Sequence, residues 1–164
     1  VNRPLAAPLE IALERLERLG VPCDLRRFPE GTARASDAAA ALGVGTEQIA
    51  KTVVFRGERT AVLAVVGGDA RVGRRALERT IGQRVEPAPG SYLLDALGVA
   101  PGAATPLIAP PTALVVIDKE LVSLRRVWIA AGTPDSVVGL DPRALARGLS
   151  ACVAPIAARS ASSG

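Results

Sequence analysis

Two apolar runs joined by three turn residues constrain the architecture of this chain more than any other feature. Residues 51–56 carry Val53, Val54 and Phe55, and residues 60–66 carry Val62, Leu63, Val65 and Val66, with Gly57, Glu58 and Arg59 between them. β-Branched and aromatic side chains suit a pleated surface, and a three-residue link containing glycine turns the second run back beside the first. The spacing predicts an antiparallel hairpin.

Helical and extended signals alternate around that hairpin without a strict βαβ rhythm. From Pro8 to Leu19 the apolar residues Leu9, Ile11, Ala12, Leu13, Leu16 and Leu19 recur at helical spacing. Glu10, Glu14, Arg15, Glu17 and Arg18 supply a wet face, and Gly20 ends the helix. Residues 21–28 read as extended. Ser36 caps a second helix that runs through Leu42 and stops at Gly43, and residues 46–49 make one more turn. A basic helix is expected over 72–81 and a short one over 92–97, capped by Ser91 and closed by Gly98. Residues 99–111 hold Pro101, Gly102, Pro106, Pro110 and Pro111, too many breakers for anything but a loop. Strands resume at 113–117, 127–131 and, more weakly, 136–140. A last helix spans 143–149, with Asp141 as its cap and Pro142 at its first position. The class is α/β in the mixed α+β sense, a strongly curved mixed sheet with helices packed around it. At 164 residues one domain is expected, over 1–158, with a flexible tail at 159–164.

Composition narrows the chemistry. The chain has no histidine, which excludes Ser-His-Asp and Cys-His nucleophiles, His-bound catalytic zinc and His general bases. Two distant cysteines cannot build a four-cysteine zinc site, and they fit a reducing interior. No run of 18 apolar residues suggests a membrane span, and the first ten residues lack a basic stretch followed by an apolar core; the reading is cytoplasmic. A net charge of +4 suits a polyanionic partner as well as it suits a mildly basic soluble protein. Of 20 positive residues only Lys51 and Lys119 are lysine, so each marks a place where a compact, rotatable ammonium is favoured over arginine.

Several constellations admit two readings each. Gly67-Gly68-Asp69 follows a strand and precedes a helix, which suits either a turn needing positive φ or a phosphate contact, although it matches no nucleotide-binding fingerprint. Asp118 and Glu120 flank Lys119 as exposed charges closing a strand, with no further acid to complete a metal site. Arg71, Arg75 and Arg79 fall at i, i+4 and i+8 of the expected basic helix, with Arg74 beside them, either a ridge for phosphates or a solvated face. Only four aromatic residues are present, too few to supply base stacking. Lys51, followed by Thr52, stands at a strand mouth where its ammonium can enter a cleft or snorkel to water. The loop Gly102-Ala103-Ala104-Thr105-Pro106 can aim backbone amides at a carbonyl, or it is an ordinary connection.

In their order and spacing these pieces resemble the YbaK/prolyl-tRNA synthetase-associated domain family. The likeness runs through the stretches 36–44 and 48–56, 63–72, 98–106 with 115–121, and 127–132, with Leu145 in the closing helix. It implies a mixed sheet curled toward a barrel with surrounding helices. The implied activity is hydrolysis of aminoacyl-tRNA carrying the wrong small amino acid, of the cysteinyl- or alanyl-tRNA(Pro) type. A non-catalytic module binding aminoacyl-nucleotides or tRNA ends is the alternative. By the resemblance, Lys51, Gly102 and Pro106 are the catalytic elements, with no cofactor and no metal. Thr52, Ala103, Ala104 and Thr105 would contact substrate, and Ala131 and Gly132, beside Ala130, would shape the pocket. Arg71, Arg75 and Arg79 would meet tRNA phosphates. The implied partners are aminoacyl-tRNA and prolyl-tRNA synthetase. The chain departs from many members at 28–32, where they carry a histidine, at Leu97, and at 107–109.

Overall fold

The computed structural model describes residues 7–28, 34–99 and 102–158. The departure at residues 29–32 and the tail from 159 lie outside the described residues. In chain order the elements are α1 (Pro8–Leu19), β1 (Asp24–Arg27), α2 (Ala35–Leu42), a 3₁₀ turn (Thr46–Gln48), β2 (Ile49–Arg56), β3 (Ala61–Gly67) and β4 (Arg71–Val72). Then follow α3 (Arg74–Ile81), β5 (Glu86–Pro87), α4 (Gly90–Leu97), a second 3₁₀ turn (Pro106–Ile108), β6 (Leu114–Asp118), α5 (Lys119–Val122) and β7 (Val127–Ala130). β8 (Ser136–Leu140), α6 (Pro142–Leu149), β9 (Cys152–Ala154) and β10 (Ala157–Ala158) complete the described chain.

The expected hairpin is β2 and β3, antiparallel from Ala50 opposite Gly67 to Arg56 opposite Ala61. It lies at the centre of a mixed sheet ordered β1-β8-β7-β2-β3-β6-β9, in which β2–β7, β3–β6 and β6–β9 are parallel. Every residue of β3 is buried, as a central strand covered on both faces requires. The path has two ends, β1 and β9, which do not pair with each other among the described residues. No closed barrel is found, so the barrel-like part of the expectation is not confirmed.

A divergence of strands around β2 creates the space for a site. On the edge away from β3, β2 pairs with β7 only at Ile49 and Ala50 and with β5 only at Phe55 and Arg56. The backbone between, from Lys51 to Val53, has no strand beside it on that edge among the described residues.

Local chemistry explains most element ends. Gly20, Gly43, Gly82 and Gly98 each close a helix in the left-handed region, where L side chains are disfavoured. Asp141 accepts a hydrogen bond from Arg143 N at 2.9 Å, and Pro142 occupies the first position of α6, as expected. Three expectations need correction. α2 begins at Ala35, with Arg34 as its extended N-cap and Ser36 inside the helix. α4 begins at Gly90 after Pro89, so Ser91 is not its cap. The basic helix starts only at Arg74, because Gly73 separates it from a two-residue strand that contains Arg71. Arg71 is therefore not on the helix with Arg75 and Arg79.

Asp118 is also not an exposed strand-end charge. It is buried at 3 % exposure and caps α5. Its Oδ1 accepts from Ile156 N and Ala157 N at 3.0 Å each, and its Oδ2 from Glu120 N at 3.3 Å. A buried carboxylate satisfied by three backbone donors fastens the C-terminal segment to the sheet.

Candidate active site

The gap beside β2 is a cavity of about 260 Å³. Lys51 and Thr52 line it from β2, Gly102 and Ala104 from the loop before the second 3₁₀ turn, and Trp128 and Ala130 from β7. Arg34 and Ala35 close it at the start of α2, and Thr133, Pro134 and Ser136 at the β7–β8 connection. Four of the sequence-predicted residues, Lys51, Thr52, Gly102 and Ala104, thus come together at one site.

Lys51 is partly buried, and its Nζ donates to Ala70 O at 2.6 Å. Ala70 closes a turn with Gly67, Ala70 N donating to Gly67 O at 3.0 Å. Neither Gly67 nor Gly68 has positive φ, so a turn needing positive φ is not the reason for glycine here. These glycines are needed for close approach. A Cβ on Gly68 would stand 2.7 Å from Ala35 Cβ and 2.9 Å from Thr46 O, and one on Gly67 would stand 3.2 Å from Glu47 O. Bare backbone lets this turn pass under α2 and deliver the Ala70 carbonyl to Lys51. The ammonium keeps two of its three donors for other groups.

Gly102 has φ +91°, a conformation glycine adopts without penalty, and Ala103, Ala104 and Thr105 behind it are buried. Among the described residues none of the N–H groups from Gly102 to Thr105 is paired with a protein acceptor. Thr52 Oγ1 is likewise buried without a partner. Such groups cost stability in an empty protein and become contacts once a polar ligand enters.

The opposite wall carries a chain of hydroxyls. Thr133 Oγ1 donates to Asp135 Oδ1 at 2.7 Å, and because that single proton is then used, Ser136 Oγ must donate to Thr133 Oγ1. The Thr133 hydroxyl, with smaller help from the backbone and Arg27, holds the Asp135 carboxyl below its ordinary pKa against slight desolvation. Outside the cavity, the guanidinium groups of Arg126 and Arg26 lie 4.9 Å and 5.8 Å from the Trp128 ring centroid.

Other predicted residues are not brought to the cavity. Ala131 is fully buried in the main core with Ala12 and Leu16, and Gly132 is buried against Pro8. Their small size lets α1 pack closely on this segment. Ala103 belongs to an apolar cluster with Leu63, Leu93 and Leu97. Thr105 is fully buried and caps the second 3₁₀ turn, its Oγ1 accepting from Leu107 N at 3.3 Å, and Pro106 opens that turn behind the cavity wall. Arg75 and Arg79 lie exposed on α3 beside Arg84, away from the cavity, as does Arg71 on β4. Arg34, Thr133 and Ser136 were not anticipated; a Thr-Pro-Asp-Ser turn soon after a strand is a sequence signal for Thr133 and Ser136, and Arg34 has no such signal.

A larger cavity of about 560 Å³ lies beyond the Lys51–Ala70 contact, lined by Glu47, Asp69, Asp118 and Glu120. Its acidic rim opposes a polyanion, and among the described residues its acids do not gather into a metal-holding set. Removing the orphaned hydroxyl by Thr52→Val should stabilise the empty protein by about 1 kcal/mol. The same change should raise KM for any substrate that hydrogen-bonds there. Urea midpoints and steady-state kinetics on the one variant check both signs.

Known proteins place this geometry. Residues 29–147 match the model of the aminoacyl-tRNA editing domain. The uncharacterized protein YwhH of Bacillus subtilis is 28 % identical over 123 residues, covering 74 % of this chain and 78 % of that protein. Among solved structures, a candidate trans-editing enzyme for prolyl-tRNA synthetase superposes with a TM-score of 0.84 at 27 % identity, over 94 % of this chain and 99 % of the other. The hypothetical protein APE2540 superposes with a TM-score of 0.85 at 25 % identity, over 90 % and 99 % of the two chains. The fold is that of a YbaK-type editing module, a class whose substrate is aminoacyl-tRNA. The chain belongs to the aminoacyl-tRNA editing domain family. No helix among the described residues is long and apolar enough to cross a membrane.

Proposed function

We propose that this protein is a trans-editing hydrolase that deacylates tRNA mischarged with a small amino acid, of the cysteinyl- or alanyl-tRNA(Pro) type. The observation that carries the reading is the meeting of Lys51 with Gly102 and Ala104 in one small cavity. Its volume of about 260 Å³ is below the ~300–1,000 Å³ usual for drug-sized ligands and suits a short aminoacyl group. Size exclusion of this kind discriminates by about 1–3 kcal/mol per methylene, so selection should be leaky.

In the proposed reaction the oxygen of a water attacks the ester carbonyl and the acyl–oxygen bond to the terminal ribose breaks. The neighbouring ribose hydroxyl relays the water's proton, which ends on the leaving ribose oxygen, and free amino acid and tRNA result. The unpaired amides from Gly102 to Thr105 would hold the carbonyl as its oxygen gains charge. Lys51, with its two remaining donors, would hold the terminal phosphate or share that charge. Thr52 Oγ1 would accept from the substrate's α-ammonium. Ala103 and Thr105 then contribute backbone only, and Pro106 acts by stiffening the loop.

Deacylation of a panel of mischarged tRNAs by the purified chain tests the reading. Release of alanine or cysteine, and not of bulky amino acids, is expected. Binding of aminoacyl-nucleotides without turnover would instead make the protein a non-catalytic module. We further propose that Arg71, Arg75 and Arg79 contact tRNA phosphates and that prolyl-tRNA synthetase is the partner enzyme. Neutralising the three arginines should raise KM for tRNA and flatten its salt dependence, each lost phosphate contact lowering the log–log slope by about 0.7–0.9. Hydrolysis of a minimal aminoacyl-nucleotide should change little. An unchanged tRNA slope would mean that the polyanion is held elsewhere.

A further inference from the structure

We infer that Arg15, on α1, is a positioning residue for the hydrolysis, gripping the turn that directly follows the segment whose amides are proposed to face the ester; this rests on the deacylase reading above. By its place in the sequence Arg15 belongs to the wet face of an amphipathic helix. It is instead partly buried, and its Nη1 stands 2.7 Å from Ala109 O, 3.1 Å from Pro106 O and 3.5 Å from Leu107 O. These carbonyls converge because they belong to the second 3₁₀ turn and its C-cap residue Ala109; Pro106 O also accepts from Ala109 N at 3.2 Å within that turn. A cation there satisfies them and opposes the local dipole. At the other end of the same turn Thr105 Oγ1 accepts from Leu107 N, so the turn is tied at both ends.

The residues from Gly102 to Thr105 belong to no helix or strand, so their place depends on the anchor that follows them. Partial burial, and secondarily Arg18, lower the pKa of the Arg15 guanidinium from its ordinary value. No carboxylate pairs with Arg15 among the described residues, and three backbone carbonyls are what compensate it.

The same helix supports the facing wall. A Cβ on Gly132 would lie 2.9 Å from Pro8 C and O, so the start of α1 packs directly on backbone between Ala130 and Thr133, two residues of the cavity lining. α1 therefore touches the backs of both walls, although it lies outside residues 29–147, over which the editing domain matches.

The test is steady-state kinetics of the full chain on a minimal alanyl-nucleotide, with thermal melting alongside. Arg15→Ala should lower kcat about tenfold or more while KM shifts less than about twofold, since a loop displaced by an ångström loses orientation before binding. Added guanidinium ion at millimolar concentration should restore part of kcat. Leu13→Ala, on the same helix and packed on the core, should lower the melting temperature and leave kcat unchanged while the protein is folded. Should Arg15→Ala not fold, Arg15→Lys keeps charge and stem but offers one nitrogen at shorter reach, and an intermediate kcat is expected. A folded Arg15 variant with wild-type kcat, or an equal loss in Leu13→Ala at equal folded fraction, overturns the role of Arg15 alone. A wild-type protein without turnover overturns the deacylase reading, and the catalytic role of Arg15 with it.

Discussion

Lys51→Ala should abolish most deacylation, by about 10²–10³-fold in kcat/KM, while the chain stays folded. That range is what removal of one preorganised electrostatic donor costs in acyl-transfer enzymes. The folded state loses the bond from Nζ to Ala70 O, worth about 1.5–3 kcal/mol for a charged donor. The hairpin itself is untouched, because Lys51 pairs with Val66 through backbone. Lys51→Arg should also be poor, since a planar fork cannot serve Ala70 O and a substrate oxygen from one compact centre. Circular dichroism establishes the fold of each variant, and ester hydrolysis gives the rate. Near-normal turnover in a folded Lys51→Ala protein would remove Lys51 from the mechanism.

Elements governed by local chemistry were legible in the sequence. The β2–β3 hairpin follows from two β-rich runs and a short turn, and α6 from Asp141 and Pro142 at its start. Elements that exist only through distant partners were not. β4 and β10 are two residues each and pair with one another across about half of the chain. Burial of Asp118 depends on the amides of Ile156 and Ala157, which no local pattern announces. The i, i+4, i+8 spacing of Arg71, Arg75 and Arg79 runs straight across Gly73, the residue that ends β4 and caps α3. Periodicity alone could not see that break.

Half of the site was legible for a similar reason. Lys51 and Gly102 stand out in the sequence by type, a rare lysine and a loop glycine. Their meeting depends on the divergence of β5 and β7 along one edge of β2, which is a property of the whole sheet. Small residues mark close packing as readily as a pocket, and at Ala131 and Gly132 α1 packs against the chain. Arg15 was assigned to solvent because a helical pattern distinguishes polar from apolar faces, not water from backbone carbonyls. Its three acceptors lie more than 90 positions away in the chain.

Gly102→Val should cost far more activity than stability. At φ +91° a β-branched residue is an outlier, and such strain is worth about 1–3 kcal/mol. Among the described residues, chain neighbours aside, no atom lies within 4 Å of the Cβ position, so the substitution meets no steric barrier from them. The strain is therefore in the backbone alone, and the loop relieves it by rotating Gly102 toward negative φ. That rotation swings the adjoining amide, while Ala103, held in the cluster with Leu63 and Leu97, resists following. The amides proposed to hold the ester carbonyl lose their common aim, and a loss of about 10²-fold in kcat is expected, with KM less affected. Gly102→Ala, less restricted because it is not branched, should fall between wild type and valine. Rates on a minimal aminoacyl-nucleotide, set beside melting temperatures, separate the two effects. If valine lowers only the melting temperature and turnover survives, the loop is structural and the carbonyl must be held by other donors.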